Sequence, residues 1–330
     1  MNEKINVAIV GYGNLGRGSE LAVNQQKDMH LFGVFTRRDP ASITPLFAQT
    51  RVYPDNELAD LKDQIDVLVL CAGSATDLPE MTPALARDFN LVDSFDTHAN
   101  IPAHFAAVDA AAKAGGRVAI ISVGWDPGLF SLNRALARAV LPNGTDYTFW
   151  GSGVSQGHSE AVRQIAGVVD ARQYTIPVEA AIAAVRAGET PELSTREKHT
   201  RLVYVVAAKD ADTDRIEREI VTMPNYFADY DTSVRFISEE EMASEHSSMP
   251  HGGSVFRVGK TGLDGQNAQV LEYRLALQSN PEFTSSVLVA YARAAWRLST
   301  EGASGCRTVF DIAPAYLLDM GAAEMRAELL

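Results

Sequence analysis

Short apolar runs rich in β-branched residues alternate with amphipathic stretches over the first 124 residues. Residues 5–10 (INVAIV), 30–36 (HLFGVFT), 66–71 (DVLVLC), 91–93 (LVD) and 117–123 (RVAIISV) are too short for helices and mostly apolar on both faces. That is the pattern of strands buried in a parallel sheet. Residues 16–26, 79–88 and 102–114 between them read as helices. The alternation predicts an α/β domain, a doubly wound parallel sheet with helices on both faces. From residue 125 the rhythm changes. Residues 147–150 (YTFW), 201–207 (RLVYVVA) and 234–237 (VRFI) read as strands, and 159–165, 179–187, 214–222 and 285–298 as helices. This predicts an α+β domain over 125–282, after a first domain of 1–124. The segment from about 283 to 330 is expected to pack back on the first domain.

Composition fits that picture and removes some function classes. A chain of 330 residues is long for one core and comfortable for two. Hydrophobic residues at 46% and charged residues at 22% supply a core that needs no metal or disulfide staple. A net charge of −13 argues against nucleic acid or an anionic membrane surface as partner. The two cysteines, Cys71 and Cys306, lie far apart and indicate no disulfide framework, which suits a reducing cytoplasm. The apolar run within residues 1–10 is too short for a signal peptide. No stretch approaches the roughly 18 apolar residues of a membrane helix. No internal repeat or low-complexity segment occurs.

The loop after the first strand carries the first chemistry. Gly11-Tyr12-Gly13-Asn14-Leu15-Gly16 matches G-x-G-x-x-G with a strand before it and a helix after it. In a Rossmann-type fold Gly11 permits the tight turn, Gly13 admits a pyrophosphate and Gly16 allows close helix packing. The helix N-terminus then offers N–H groups to phosphate. An NAD enzyme would place an acidic residue about 20 positions further on, at the ribose hydroxyls. Here stand Thr36, Arg37 and Arg38, which suit a 2′-phosphate, so NADP(H) is the expected cofactor. Asp39, one step further, is discordant.

Three further loops follow strands at the carboxyl edge, where open α/β sheets hold ligands. The first is Cys71 to Asp77, whose small residues Gly73, Ser74, Ala75 and Thr76 allow close approach of the cofactor. Cys71 ends an apolar run without a basic neighbour and reads as packing, not as a nucleophile. The second holds Ser94, Phe95 and Asp96, and the third Val123, Gly124, Trp125, Asp126 and Pro127. Asp96 and Asp126 at one edge would attract an ammonium group and hold a proton. Taken singly, each is equally the residue type that caps a helix. The second domain offers Gln156, Gly157 and His158 in a small polar run, cations from Arg196 to Arg201, and His246 and His251 in a segment read as a loop. Those two histidines are five apart, no cysteine is near, and no metal is expected.

Taken together, these blocks resemble meso-diaminopimelate dehydrogenases over nearly the whole chain. The resemblance runs through GYGNLGR (11–17), FTRR (35–38), GSATD (73–77), GWDPG (124–128), FSLNR (130–134) and TFWG (148–151). It continues through SQGHS (155–159), KHTR (198–201), TMPNYF (222–227), MPHGG (249–253) and NPEFT (280–284). It implies a cytoplasmic bacterial homodimer with a Rossmann domain and a substrate-binding and dimerisation domain. The implied reaction is reversible, NADP-dependent oxidative deamination at the D-centre of meso-2,6-diaminopimelate, in lysine and peptidoglycan precursor metabolism. It also implies that Asp96 and Asp126, with Trp125 and Trp150, surround the reacting centre. Gln156 and Gly157 would receive its carboxylate, and Thr175, Arg201, His251 and Asn280 would fix the distant L-centre. The sequence departs from the family around Asp96, where Phe95 and Thr97 stand in place of a tyrosine and an asparagine.

Two other readings share the first domain. A different lysine-pathway reductase, acting on aspartate semialdehyde or dihydrodipicolinate, would carry the same fingerprint. A non-catalytic NADP-binding sensor would bind nucleotide without turnover. The set Asp96, Asp126, Arg201 and His251 favours amine oxidation over both.

Overall fold

Along the first strand, Val7 and Ile9 point to one face of a sheet and Ala8 and Val10 to the other, and each pair sits in its own apolar core. In the computed structural model, which describes residues 4–330, this double burial organises the first of two compact units. The first unit takes the chain up to Leu132 together with Pro281–Leu330, and the second is Asn133–Asn280.

The strands in chain order are β1 (Ile5–Val10), β2 (Met29–Thr36), β3 (Val52–Pro54), β4 (Val67–Leu70), β5 (Leu91–Asp93) and β6 (Val118–Ile120). The second unit adds β7 (Gly144–Trp150), β8 (Gly153–Val154), β9 (Val168–Pro177), β10 (His199–Ala207), β11 (Asp231–Phe236), β12 (His251–Thr261) and β13 (Asn267–Leu277). The chain then returns to the first unit with β14 (Gly305–Arg307). There the sheet order is β14-β6-β5-β4-β1-β2-β3, every pair parallel. The order reverses at β1, between β2 and β4, the point where such sheets open for a ligand. Val10 pairs with Phe35 and Leu70, Leu70 with Asp93, and Val92 with Ile120, so the loops leaving β1, β2, β4, β5 and β6 share one edge. The helix Asn280–Thr300 lays Leu288, Tyr291, Ala292 and Ala295 into the core that holds Val7 and Ile9. Arg293, buried on that helix, chelates Asp28 at 2.6 and 2.7 Å.

The second unit contains two sheets, β11-β10-β9-β8 and β13-β12-β7. The first packs Val203 and Val205 against Val162, Ile216 and Ile220, on the helices Gln156–Arg163 and Thr213–Val221. The second packs Phe149 and Phe256 on Ile182 and Val185 of Glu179–Arg186. Among the described residues no helix is long and apolar enough to cross a membrane.

Besides the unforeseen strands β3, β8, β9 and β14 and the helix Leu129–Val140, the sequence reading needs three corrections. The strand expected over 117–123 stops at Ile120, because Ser122 adopts a left-handed φ of 57° that ends extended pairing. The segment read as a loop over 245–253 is one only across 246–250, between the helix Glu239–Glu245 and β12, which begins at His251. The β12–β13 hairpin was not foreseen, since β13 lies largely exposed and lacks a sustained apolar run.

Candidate active site

The glycine loop divides its work as its spacing implies. A Cβ on Gly11, at φ 94°, would sit 2.6 Å from the Cys71 carbonyl oxygen. One on Gly16 would sit 2.3 Å from the Gly11 carbonyl, so both glycines serve close packing. A Cβ on Gly13 would meet nothing within 4 Å, which leaves the space that a pyrophosphate needs. Gly13 also begins the helix Asn14–Asn24, which has neither a side-chain cap nor an acidic residue in its first turn. An uncapped helix start beside an open glycine suits a dinucleotide phosphate. Leu15 packs into the core beneath, and the Tyr12 hydroxyl, hydrogen-bonded to buried Glu20, is pushed up to about 12, first by burial.

At the end of β2, Thr36 is buried and its hydroxyl accepts from the Arg38 N–H at 3.1 Å. The Arg38 guanidinium donates to the Tyr12 carbonyl at 2.6 Å, tying the basic pair to the glycine loop. Arg37 remains exposed and pairs with Asp77 at 2.8 Å. The Gly73 N–H, and after it Arg37, hold the Asp77 carboxyl below the usual range. Asp39 proves local: its carboxylate accepts from the Ala41 N–H and caps the turn Pro40–Ser42. The discordant acidic residue is therefore occupied by the backbone. Cys71 is buried against the Ser19 hydroxyl, and burial pushes its thiol up to about 12, which suits packing.

The loops after β4 and β5 are joined by Ser74, whose hydroxyl donates to Asp96 Oδ1 at 2.5 Å and accepts from the Asp96 N–H at 2.9 Å. Asp96 itself is exposed at the edge, with Ser94 half-buried and Phe95 buried beside it. After β6 the run Val123 to Pro127 folds tightly. A Cβ on Gly128 would lie 1.8 Å from the Gly124 carbonyl, and the Trp125 carbonyl accepts from the Phe130 N–H at 2.7 Å. Trp125 is buried edge-on to Phe130 and Asp126 is half-buried.

In the second unit, pairing in β9 and β10 sets Thr175 directly opposite Arg201, which explains why residues so far apart in sequence meet. The Arg201 guanidinium donates to the Thr175 hydroxyl and lies 3.9 Å over the Tyr230 ring. It is 7% exposed, and its Nε is buried without a partner. Burial lowers its affinity for the proton and Tyr230 opposes that. Gly153 sits opposite Thr175, where a Cβ would clash with His251 Cα at 2.5 Å. Gln156 opens the next helix and reaches Met249 Sδ at 3.3 Å, while Gly157 beside it is open. The Asn280 N–H donates to the Met249 carbonyl. Trp150 stacks on His199 and its backbone N–H donates to His199 Nε2 at 2.8 Å, so the proton of that ring is on Nδ1. Burial, then Arg201, depresses both His199 and His158 to about 4. Both rings are neutral at pH 7.

Sequence reasoning missed Tyr230, His199 as the support of Trp150, and the buried Asp93–His104 pair, because each depends on packing between distant elements. A cavity of about 480 Å³ in the second unit is bordered, among the expected site residues, by His251 alone. Glu241, Glu245 and His246 bring ligand atoms within 4.8 Å; His246 Nδ1 pairs with the Tyr174 hydroxyl and its Nε2 is buried without a partner.

Residues 124–279 match the model of the diaminopimelic acid dehydrogenase C-terminal domain. The meso-diaminopimelate D-dehydrogenase of Acetivibrio thermocellus is 58% identical, over 99% of this chain and 98% of that protein. A sextuple variant of the Clostridium tetani enzyme, solved with diaminopimelate, superposes with a TM-score of 0.94 at 49% identity, over 99% of this chain and all of that one. An engineered D-amino acid dehydrogenase bound to NADP⁺ gives 0.86 at 44%, with the same coverage.

Proposed function

This chain belongs to the meso-diaminopimelate D-dehydrogenase family, and from that premise we propose how its own residues carry the family's reaction. The reaction is reversible, NADP-dependent oxidative deamination of the D-centre of meso-2,6-diaminopimelate. It yields L-2-amino-6-oxopimelate, which cyclises to tetrahydrodipicolinate, and ammonium. The observation that carries the substrate reading is Arg201. A buried guanidinium whose partners are a hydroxyl and an aromatic ring, with Nε unused, is costly unless a carboxylate completes it. Thr175, Arg201, His251 and Asn280 are assigned to the L-centre, and Gln156, Gly157 and Trp150 to the D-centre and its carboxylate. The C. tetani variant solved with diaminopimelate is altered at a glutamine, a threonine, an arginine, a proline, a histidine and an asparagine. Those residue types stand in that order at 156, 175, 201, 250, 251 and 280 here, which supports the assignment.

When bound, the nicotinamide of NADP⁺ accepts the hydride. Hydride leaves only from a neutral amine, so the ammonium must first lose a proton, and the resulting imine must then be attacked by water. Asp96 and Asp126 hold the amine and take these protons, directly or through water. Ser74 fixes Asp96 for this role by bonding both its carboxylate and its N–H. Trp125, buried beside Asp126, presents an apolar ring there. Thr36, Arg37 and Arg38 take the 2′-phosphate, and Gly11 to Gly16 with Gly73 to Asp77 take the rest of the dinucleotide. We also read the protein as a cytoplasmic homodimer. Two buried free cysteines support the compartment, and sedimentation tests the dimer.

Incubation of meso-diaminopimelate with NADP⁺ should release ammonium and NADPH in equal amounts. Asp96→Asn and Asp126→Asn should each lower kcat by on the order of 10²-fold or more. Full turnover with normal affinity in either variant refutes that residue's role.

A further inference from the structure

Asp93, at the end of β5, is fully buried and takes no part in the assignments above, yet it collects four donors. Its Oδ2 accepts from the Thr82 hydroxyl at 2.9 Å and from His104 Nε2 at 2.7 Å. Its Oδ1 accepts from the backbone N–H of Phe95 at 3.1 Å and of Ser122 at 2.9 Å, and its carbonyl accepts from the Val123 N–H. Both side-chain oxygens are thus engaged, so Asp93 is satisfied where it is buried. A buried ionisable side chain is an expensive way to fill a core position that an apolar side chain would fill more cheaply.

Phe95 is the residue before Asp96, and Ser122 opens the loop that carries Trp125 and Asp126. One carboxylate oxygen therefore grips both loops. Ser122 stands at φ 57°, a conformation that a non-glycine residue adopts only at a cost. The His104 ring in turn stacks on Phe95 with centroids 4.1 Å apart, so the donor that orients Asp93 is braced by a loop that Asp93 holds.

We propose that Asp93 is a positioning residue, oriented by Thr82 and His104, that fixes the Asp96 loop and the Asp126 loop relative to each other. The inference rests on the assignment of those two aspartates to proton transfer. Asp93→Asn replaces one acceptor oxygen with an NH₂ group, which either meets the two backbone N–H groups or forces Thr82 and His104 to turn from donor to acceptor. His104→Leu removes the orienting donor, whereas His104→Gln returns an amide N–H at similar reach.

The test measures kcat, KM for both substrates, the melting temperature and the primary isotope effect with meso-diaminopimelate deuterated at the D-centre. A displacement of about 1 Å among reacting groups costs up to about 10²-fold. Asp93→Asn and His104→Leu should therefore lose about 10- to 100-fold in kcat with a larger isotope effect and little change in KM. His104→Gln should recover most of the rate. A lower melting temperature with unchanged kcat per folded molecule and unchanged isotope effect would show a merely structural role and overturn the proposal. If Asp93→Asn does not fold, the two His104 variants decide it, and equal kcat in both overturns it. Asp96→Asn and Asp126→Asn run in parallel separate the failures. Full turnover in those variants removes the reading beneath the proposal. Their impairment alongside wild-type rates in the Asp93 and His104 variants overturns the positioning role alone.

Discussion

Replacing Arg201 with methionine separates what this residue does for binding from what it costs the fold. The guanidinium is 7% exposed, and its partners are the Thr175 hydroxyl and the Tyr230 face. Losing the hydrogen bond costs about 1 kcal/mol, and losing the desolvated cation–π contact about 2 kcal/mol. Against these stands the penalty of a buried charge without a counter-ion, several kcal/mol by the same scale. Methionine fills the volume with a flexible apolar chain. The net effect on the ligand-free protein should lie between zero and a gain of about 2 kcal/mol, so its melting temperature should hold or rise by a few degrees. Binding should move the other way. Removing a buried partner of a carboxylate costs about 2–5 kcal/mol, so KM for meso-diaminopimelate should rise at least about 30-fold while KM for NADP⁺ stays put. Differential scanning calorimetry of the ligand-free protein and steady-state kinetics read the two arms. A melting temperature several degrees lower with unchanged substrate KM would refute the reasoning, since it would make Arg201 a structural residue.

Arg38→Ala removes the guanidinium that donates to Tyr12 and faces the expected 2′-phosphate, so KM for NADPH should rise by about 10-fold or more while weak activity with NADH barely changes. Equal effects on both nucleotides in parallel titrations would contradict that placement. His158 and His199 are depressed to about 4, so below pH 6.5 the unfolded chain binds protons that the folded protein refuses. Stability should therefore fall as the pH drops from about 6.5 to about 4, by roughly 1 kcal/mol per pH unit for each ring, with no further loss from these groups below that. Urea unfolding across that range should show a shallower slope for His199→Gln, and an identical slope would rule His199 out.

The first sheet was legible because its strands are buried on both faces, so INVAIV and DVLVLC announce themselves without context. The glycine loop was legible because two of its glycines meet the protein's own backbone, at Cys71 and Gly11, a constraint that only sequence identity can satisfy. Asp39 looked discordant because an acidic residue near a ribose site and one capping a turn look alike in sequence. The Thr175–Arg201 pair was reached through family resemblance. Its physical cause is cross-strand register, which nothing local encodes. Asp93 escaped for a related reason. Its four donors come from a helix near β5, a second helix and two loops, and only the folded sheet gathers them. The exposed β13 strand lacked the apolar period that marks the others.

The central claim is that the chain oxidises the D-centre of a substrate whose other, L-configured end is held by Arg201 and its neighbours. NADPH formation measured separately with meso-, DD- and LL-diaminopimelate tests it most directly. The meso isomer should turn over rapidly, the DD isomer, whose distal centre has the wrong hand, much more slowly, and the LL isomer not at all. Comparable rates on LL- and meso-diaminopimelate, or no turnover of any isomer by protein that still binds NADP⁺, would contradict it.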